Sequence, residues 1–215
     1  MRPVAAFFTS TARPIGSVVV IMMSLGIAAY AVWIYGFRPL GEHVHPLMAA
    51  SFRAHPYVIY AHIFAAAIAL VLGPFQFSRR LRAKRPSLHR WLGRLYLGAG
   101  VLVGGLAGLY VALHAMGGPV GRLGFGSLAI IWLFSASRAF VAIRSGDLLA
   151  HRQWMVRNFA LTFAAVNLRI YLPVAMACGV EFETAYPVIA WLCWVPNLLI
   201  AELICKRFIH SASTT

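Results

Sequence analysis

The sequence predicts an all-α, polytopic membrane helix bundle of about six transmembrane helices, with both termini cytoplasmic. Three observations carry that expectation. Of 215 residues, 61% are hydrophobic and 11% charged, against about 25% charged in an ordinary soluble domain. With a mean hydropathy of +0.77, no compact soluble fold could hide this much apolar surface. The apolar residues fall in runs of about 20, the length that crosses a bilayer core as helix, and lack the alternation of barrel strands. Basic residues crowd every second connection, as the positive-inside rule requires of cytoplasmic loops.

The first span is read at 17–37, following Arg2 and Arg13. Ala29-Tyr30-Ala31 resembles a signal-peptide cleavage site, but the apolar run is longer than a signal core, so an uncleaved anchor is expected. The connection Arg38–Pro56 holds His43, His45 and His55. A turn could aim His43 and His45 at one metal ion, yet Glu42 is the sole acidic partner nearby, and an amphipathic piece on the membrane surface is the plainer expectation. The second span, 57–77, carries His62 among Ile59, Ala61, Ile63 and Ala66, an apolar setting for an imidazole.

Arg79, Arg80, Arg82, Lys84, Arg85 and Arg90 then mark a cytoplasmic connection. In the third span, 93–114, glycines at 100, 104 and 108, with Gly105 beside them, form one smooth helix face. Such a face suits close helix packing, or a flat ligand lying against it. The fourth span, 125–143, holds Arg138 near its inner end. The fifth, 158–178, follows His151, Arg152 and Arg157 and buries Arg169 near the bilayer midplane. The sixth, 187–205, carries Asn197 at similar depth and Glu202, the one acidic residue inside any span. Lys206 and Arg207 follow it. The whole chain reads as one integral membrane domain, 1–215.

The net charge of +14 does not imply nucleic acid, because the basic residues sit at membrane edges, where anionic lipid attracts each by roughly 1 kcal/mol. Cys178, Cys193 and Cys205 show no metal-ligand spacing and read as core fillers.

Charge at membrane depth needs a partner. Arg138 and Glu202 match in depth and sign, so an ion pair between spans four and six is expected. Arg169 has no acid at its level; Asn167, Asn197, backbone carbonyls or an anionic ligand are its candidates. Opposed histidines on neighbouring helices hold haem iron, with arginines meeting the propionates. His62 with His114, or His89 with His151, supplies such a metal-ligating pair, and Arg90, Arg94, Arg152 and Arg157 stand by the inner one. Ordinary interface histidines are the competing reading.

Four stretches, "AHIFAAAIALVLGPFQF", "LHRWLGRLY", "HRQWMVRNFALTFAAVNLRIYLP" and "WVPNLLIAE", resemble a family of bacterial multipass membrane proteins catalogued as domain of unknown function 2306. The resemblance implies a multipass protein of the bacterial inner (plasma) membrane. It points to His62, Gly73, Pro74, Gln76, His89, Arg90, Gly93, His151, Arg152, Arg157, Arg169, Asn197 and Glu202; His114 falls outside its motifs. Over fewer than ten residues, "SLHRWLG" also looks like the ascorbate-reducible b-type cytochromes of eukaryotic membranes. Two functions follow as expectations. One is a redox protein with a b-type haem or quinone site in the bundle. The alternative is a non-enzymatic binder or carrier of a lipid, quinone or small anion, held by Arg169 and Asn197 with His62 as a proton-linked partner. A hydrolase is disfavoured, since no carboxylate pair and no histidine-acid chain accompany Ser135 and Ser137.

Overall fold

In the computed structural model the backbone is described for residues 5–42 and 44–212, and side chains for 16–42 and 44–207. Arg2, the Arg13 side chain and His43 therefore lie outside the described residues. Among those residues all regular structure is helical: α1 (Ala5–Phe37), α2 (Pro46–Ala54), α3 (Pro56–Gln76), α4 (Arg79–Lys84), α5 (Pro86–Leu95), α6 (Val103–Leu113), α7 (Gly118–Arg144), α8 (Leu148–Thr162), α9 (Ala164–Ala177), α10 (Phe182–Leu192) and α11 (Val195–Ala212). A π-helical segment, Tyr96–Leu102, joins α5 to α6. Among the described residues, six stretches are long and apolar enough to cross a membrane. The outward faces are greasy: Ile130, Leu199 and Leu203 are 56%, 61% and 60% exposed, a distribution suited to lipid.

The spans start earlier than the apolar runs. The third, fourth, fifth and sixth begin at Pro86, Gly118, Leu148 and Phe182. Hydropathy marks the part of a helix inside hydrocarbon, whereas the helix itself starts where its first turn is capped. Pro56, Pro86 and Pro119 occupy first turns, where a missing N–H costs nothing. Asp147 accepts the Ala150 N–H at 2.9 Å, the expected N-cap bond. His89, His151, Arg152 and Arg157 thus stand on helices rather than in loops.

Two spans are broken midway. The fifth bends at Phe163 between α8 and α9. The sixth breaks at Cys193–Trp194, before Pro196, which cannot donate to the preceding turn. At this break the Cys193 carbonyl accepts from the side chains of Asn167 and Asn197, both at 3.1 Å. Asn167 also donates to Asn197 Oδ1 at 2.8 Å, and Asn197 to the Ala160 carbonyl at 3.1 Å. The two asparagines cross-link the breaks, meeting the rule that freed backbone groups at membrane depth find new partners.

Breaking the fifth span changes its neighbours. In the half carrying the Arg79–Arg90 cluster, here the basic end, α8 packs on α7, α3 and α11. In the half ending at His45, His55 and His114, the histidine end, α9 packs on α10 and α1 instead. The departure of α9 from α7 leaves space inside the bundle.

Candidate functional site

That space is a cavity of about 880 Å³ in the histidine half, bounded by α1, α3, α6, α7, α9 and α10 and covered by α2. It lies within the roughly 300–1,000 Å³ of small-molecule sites. Aliphatic and aromatic groups form most of its wall. Histidines apart, Arg169 is the only ionisable group of either charge besides tyrosines and a cysteine among the described lining residues. Arg169 Nη1 donates to the Ala165 carbonyl at 3.2 Å, one of five N–H donors the guanidinium owns. No carboxylate pairs with it among the described residues. Asn167 and Asn197, expected as partners, are consumed by each other and by the helix breaks.

His62 faces the same space from α3. Its Nδ1 lies 2.8 Å from the Gly104 carbonyl, and since a carbonyl only accepts, Nδ1 carries the proton. In the neutral ring Nε2 then keeps its lone pair. The glycine face of the third span divides its work. At Gly100 an added Cβ would press on Ala69 at 3.0 Å, so this residue serves helix packing. At Gly108 it would meet His62 Nδ1 at 2.8 Å, so this residue seats the imidazole. Gly108→Ala should therefore cost about 1–3 kcal/mol of stability by overpacking and weaken ligand retention in the cavity. Gly98→Ala, with nothing within 4 Å of the added carbon, should do neither. Thermal melts of both variants in detergent provide the comparison.

The cavity floor is a buried hydrogen-bond network at the level of the π-helical segment. Tyr96 Oη donates to Asn158 Oδ1 at 2.7 Å, and Trp132 Nε1 to Thr162 Oγ1 at 2.9 Å. Asn158 Nδ2 donates to the Trp132 carbonyl and to Ser135 Oγ, at 2.9 and 2.8 Å. The Ser135 and Ser137 hydroxyls both donate to carbonyls three residues back, so neither stands as an activated nucleophile.

The remaining expected residues lie elsewhere. His114 lines the cavity rim, where its Nδ1 bonds the Tyr110 carbonyl at 3.1 Å and its ring packs 4.3 Å from His55. His55 is seven residues before His62, about 10 Å at 1.5 Å per residue, so His114 is stationed well above His62 rather than opposite it. His89 and His151 belong to the basic end, beyond the floor. His151 Nδ1 bonds the Ala139 carbonyl at 2.8 Å, and His89 Nδ1 is buried without a partner. Arg152 stands on the exposed side of α8. Between the second and third spans, Arg82 is held below the usual guanidinium range, first by burial and then by the fields of Arg152 and Arg79.

The expected Arg138–Glu202 pair is corrected. Glu202 is taken by Arg157, with Nε–Oε1 2.6 Å and Nη2–Oε2 2.8 Å. Arg157 lies 4.7 Å from the Trp154 ring centre and Arg138 5.7 Å from it. Depth alone pointed to Arg138. What decides is that α11 packs along α8, which brings Glu202 to the arginine on that helix.

Sequence reasoning missed Asn158, Tyr96, Trp132 and Thr162. The one available signal was polar: Asn158 and Thr162 are four apart, on one face of the fifth span. The cavity tyrosines, Tyr35 and Tyr186, gave no signal of their own.

Among known families, the one described as a predicted membrane protein (DUF2306) matches residues 59–205. No curated protein and no solved structure matches the chain.

Proposed function

From the premise that the chain belongs to the DUF2306 family of predicted membrane proteins, we propose that it binds or carries a membrane-resident amphiphile in the cavity of the histidine half. The head of that molecule is an anionic group or a quinone carbonyl, set against Arg169 and His62. The tail lies along the apolar wall.

The observation that carries this reading is Arg169 itself. A guanidinium at membrane depth costs at least a few kcal/mol, and its hydrogen-bond partner among the described residues is a carbonyl on its own helix. A head group that accepts two hydrogen bonds from the guanidinium fork offsets that cost. His62 Nε2 keeps a lone pair, which can accept from the hydroxyl of a protonated carboxyl, phosphate or quinol head. No bond is made or broken in this reading, so no catalytic residue is assigned. In this reading the basic end faces the cytoplasm, as the excess of arginine there favours, and the chain sits in a plasma membrane.

The test is to purify the protein in mild detergent, extract it with organic solvent and weigh what comes out. One amphiphile class at about one molecule per chain, enriched over bulk lipid, is the expected result. An extract with the composition of the bulk membrane overturns the proposal.

Haem b is the second reading, favoured by one observation. Metal-binding imidazoles commonly donate one ring N–H to a carbonyl and ligate through the other nitrogen, and His62 has that first bond. Haem would supply one-electron chemistry, and Arg169 would meet a propionate. Oxidised and dithionite-reduced absorption spectra of protein from haem-replete cells decide it. Soret and α/β bands lost in His62→Ala support haem; a featureless visible spectrum removes it.

A further inference from the structure

On the far side of the cavity floor, we infer that the basic end holds a second site, built by Gln76, Arg82 and His89, for a phosphate-type anion. The Gln76 side chain is 6% exposed, and its Nε2 has no hydrogen-bond partner. The same is true of the buried Nδ1 of His89. Orphaned buried polar atoms are rare in folded proteins and ask for an occupant.

These two orphans belong to one place. Gly93 and His89 are four apart on α5, hence on one helix face. The Gln76 carboxamide lies against that face, since a Cβ at Gly93 would sit 3.1 Å from Gln76 Oε1. Gly93 is thus the residue that lets the carboxamide approach α5. Arg82 approaches from α4, its Nη1 donating to the Gln76 backbone carbonyl at 3.3 Å. His89 lies in the electrostatic field of Arg82, Arg90 and His151, and Arg82 in that of Arg79 and Arg152.

Beside the Gln76 oxygens, donors and positive charge dominate this corner. Gln76 Nε2 is a donor, a guanidinium has donors only, and His89 Nδ1 donates in one tautomer and in the charged ring. The first turn of α5 has no side-chain cap, and its N–H groups and dipole add positive potential. No carboxylate contributes to the fields at Arg82 or His89. A water would satisfy the orphans alone, whereas a phosphate oxygen satisfies them and meets the surrounding charge. The phosphate can belong to a free ion or to the head group of an anionic phospholipid.

The test uses the full chain in detergent and measures binding at constant ionic strength, because the field of the basic end is screened by salt. Two probes are titrated: inorganic phosphate, and phosphatidylglycerol in mixed micelles against a phosphatidylcholine blank. Saturable binding of either is expected, at one site per chain, weakened at least tenfold by Gln76→Leu and by His89→Leu. Arg80→Gln, an exposed arginine on α4 outside the corner, should leave it within about twofold. Binding of inorganic phosphate identifies the free ion as ligand; binding of phosphatidylglycerol alone identifies a lipid head. Should Gln76→Leu fail to fold, His89→Gln keeps a polar side chain and still removes the imidazole. No saturation with either probe, or an equal loss in Arg80→Gln, overturns the inference. The Arg169→Leu variant should retain this binding, which separates the fate of the two sites.

Discussion

Arg169→Leu abolishes ligand retention in the histidine-half cavity and raises the unfolding midpoint of the ligand-free protein. The two halves of this expected result have opposite signs for one reason. In the empty protein the guanidinium is desolvated and holds one carbonyl at 3.2 Å, so the charge is a burden on the fold. Leucine removes it and fits a wall already made of leucine and alanine. With ligand present the guanidinium becomes the main anchor of the head group. Truncating one member of a buried, hydrogen-bonded charge pair costs 2–5 kcal/mol or more, roughly 30- to 5,000-fold in affinity. Arg169→Lys should fall between, keeping the charge but losing the planar fork. The measurement is a pair of melts with and without the extracted amphiphile, alongside the bound amount per chain. A variant that is destabilised when empty would show that Arg169 serves the fold, and the functional reading would lose its central residue.

How far this site was legible in the sequence depends on which dimension the sequence encodes. Depth is encoded, because residue number advances along a helix at a fixed rise. Arg169 was therefore recognisable as a charge near the midplane, and His62 as an imidazole among apolar neighbours. Rotation about the bundle is not encoded. Depth matched Glu202 to Arg138, and only the packing of α11 on α8 assigns the acid to Arg157. The histidines suffered in the same way. His62 and His114 look like partners in a helical diagram, yet His114 is drawn to His55 and Tyr110 at the rim.

The cavity was the least legible feature, because it arises from an interruption rather than from a motif. Hydropathy reads the fifth span as one continuous apolar run, and no proline or glycine stands at Phe163. The bend becomes intelligible only with the sixth span beside it. Pro196 leaves the Leu192 carbonyl without its helical donor, and at the break Asn167 and Asn197 bond the neighbouring Cys193 carbonyl and each other, with Asn197 reaching Ala160 across the two helices. Discontinuous helices near the midplane are a recurrent way to line a membrane site. Here the discontinuity separates α8, packed on α7 and α11, from α9, packed on α10 and α1, and Arg169 on α9 lines the cavity.

Asn158→Ala should be the most damaging single change to the fold, lowering stability by about 2–5 kcal/mol. The side chain of Asn158 is fully buried and ties three helical segments together. Its Oδ1 accepts from Tyr96, and its Nδ2 donates to the Trp132 carbonyl and to Ser135. Interhelical hydrogen bonds in membranes average about 0.6 kcal/mol and reach about 1.7, so three of them span about 2–5 kcal/mol before the lost packing is added. Tyr96→Phe removes the Asn158 bond and the 3.0 Å contact with Thr162 Oγ1, but leaves both Asn158 Nδ2 bonds in place, and should cost less. The double variant should then be milder than the sum of the singles, because both delete the Tyr96–Asn158 bond. Unfolding in mixed micelles with increasing denaturing detergent supplies the numbers. The cavity tests the argument independently: Trp132 and Thr162 are shared by the floor and the wall, so Asn158→Ala should also loosen ligand retention while Arg169 is untouched. A change below about 0.5 kcal/mol, in the range of ordinary surface substitutions, would mean that the floor is held by apolar packing and that the network is incidental to it.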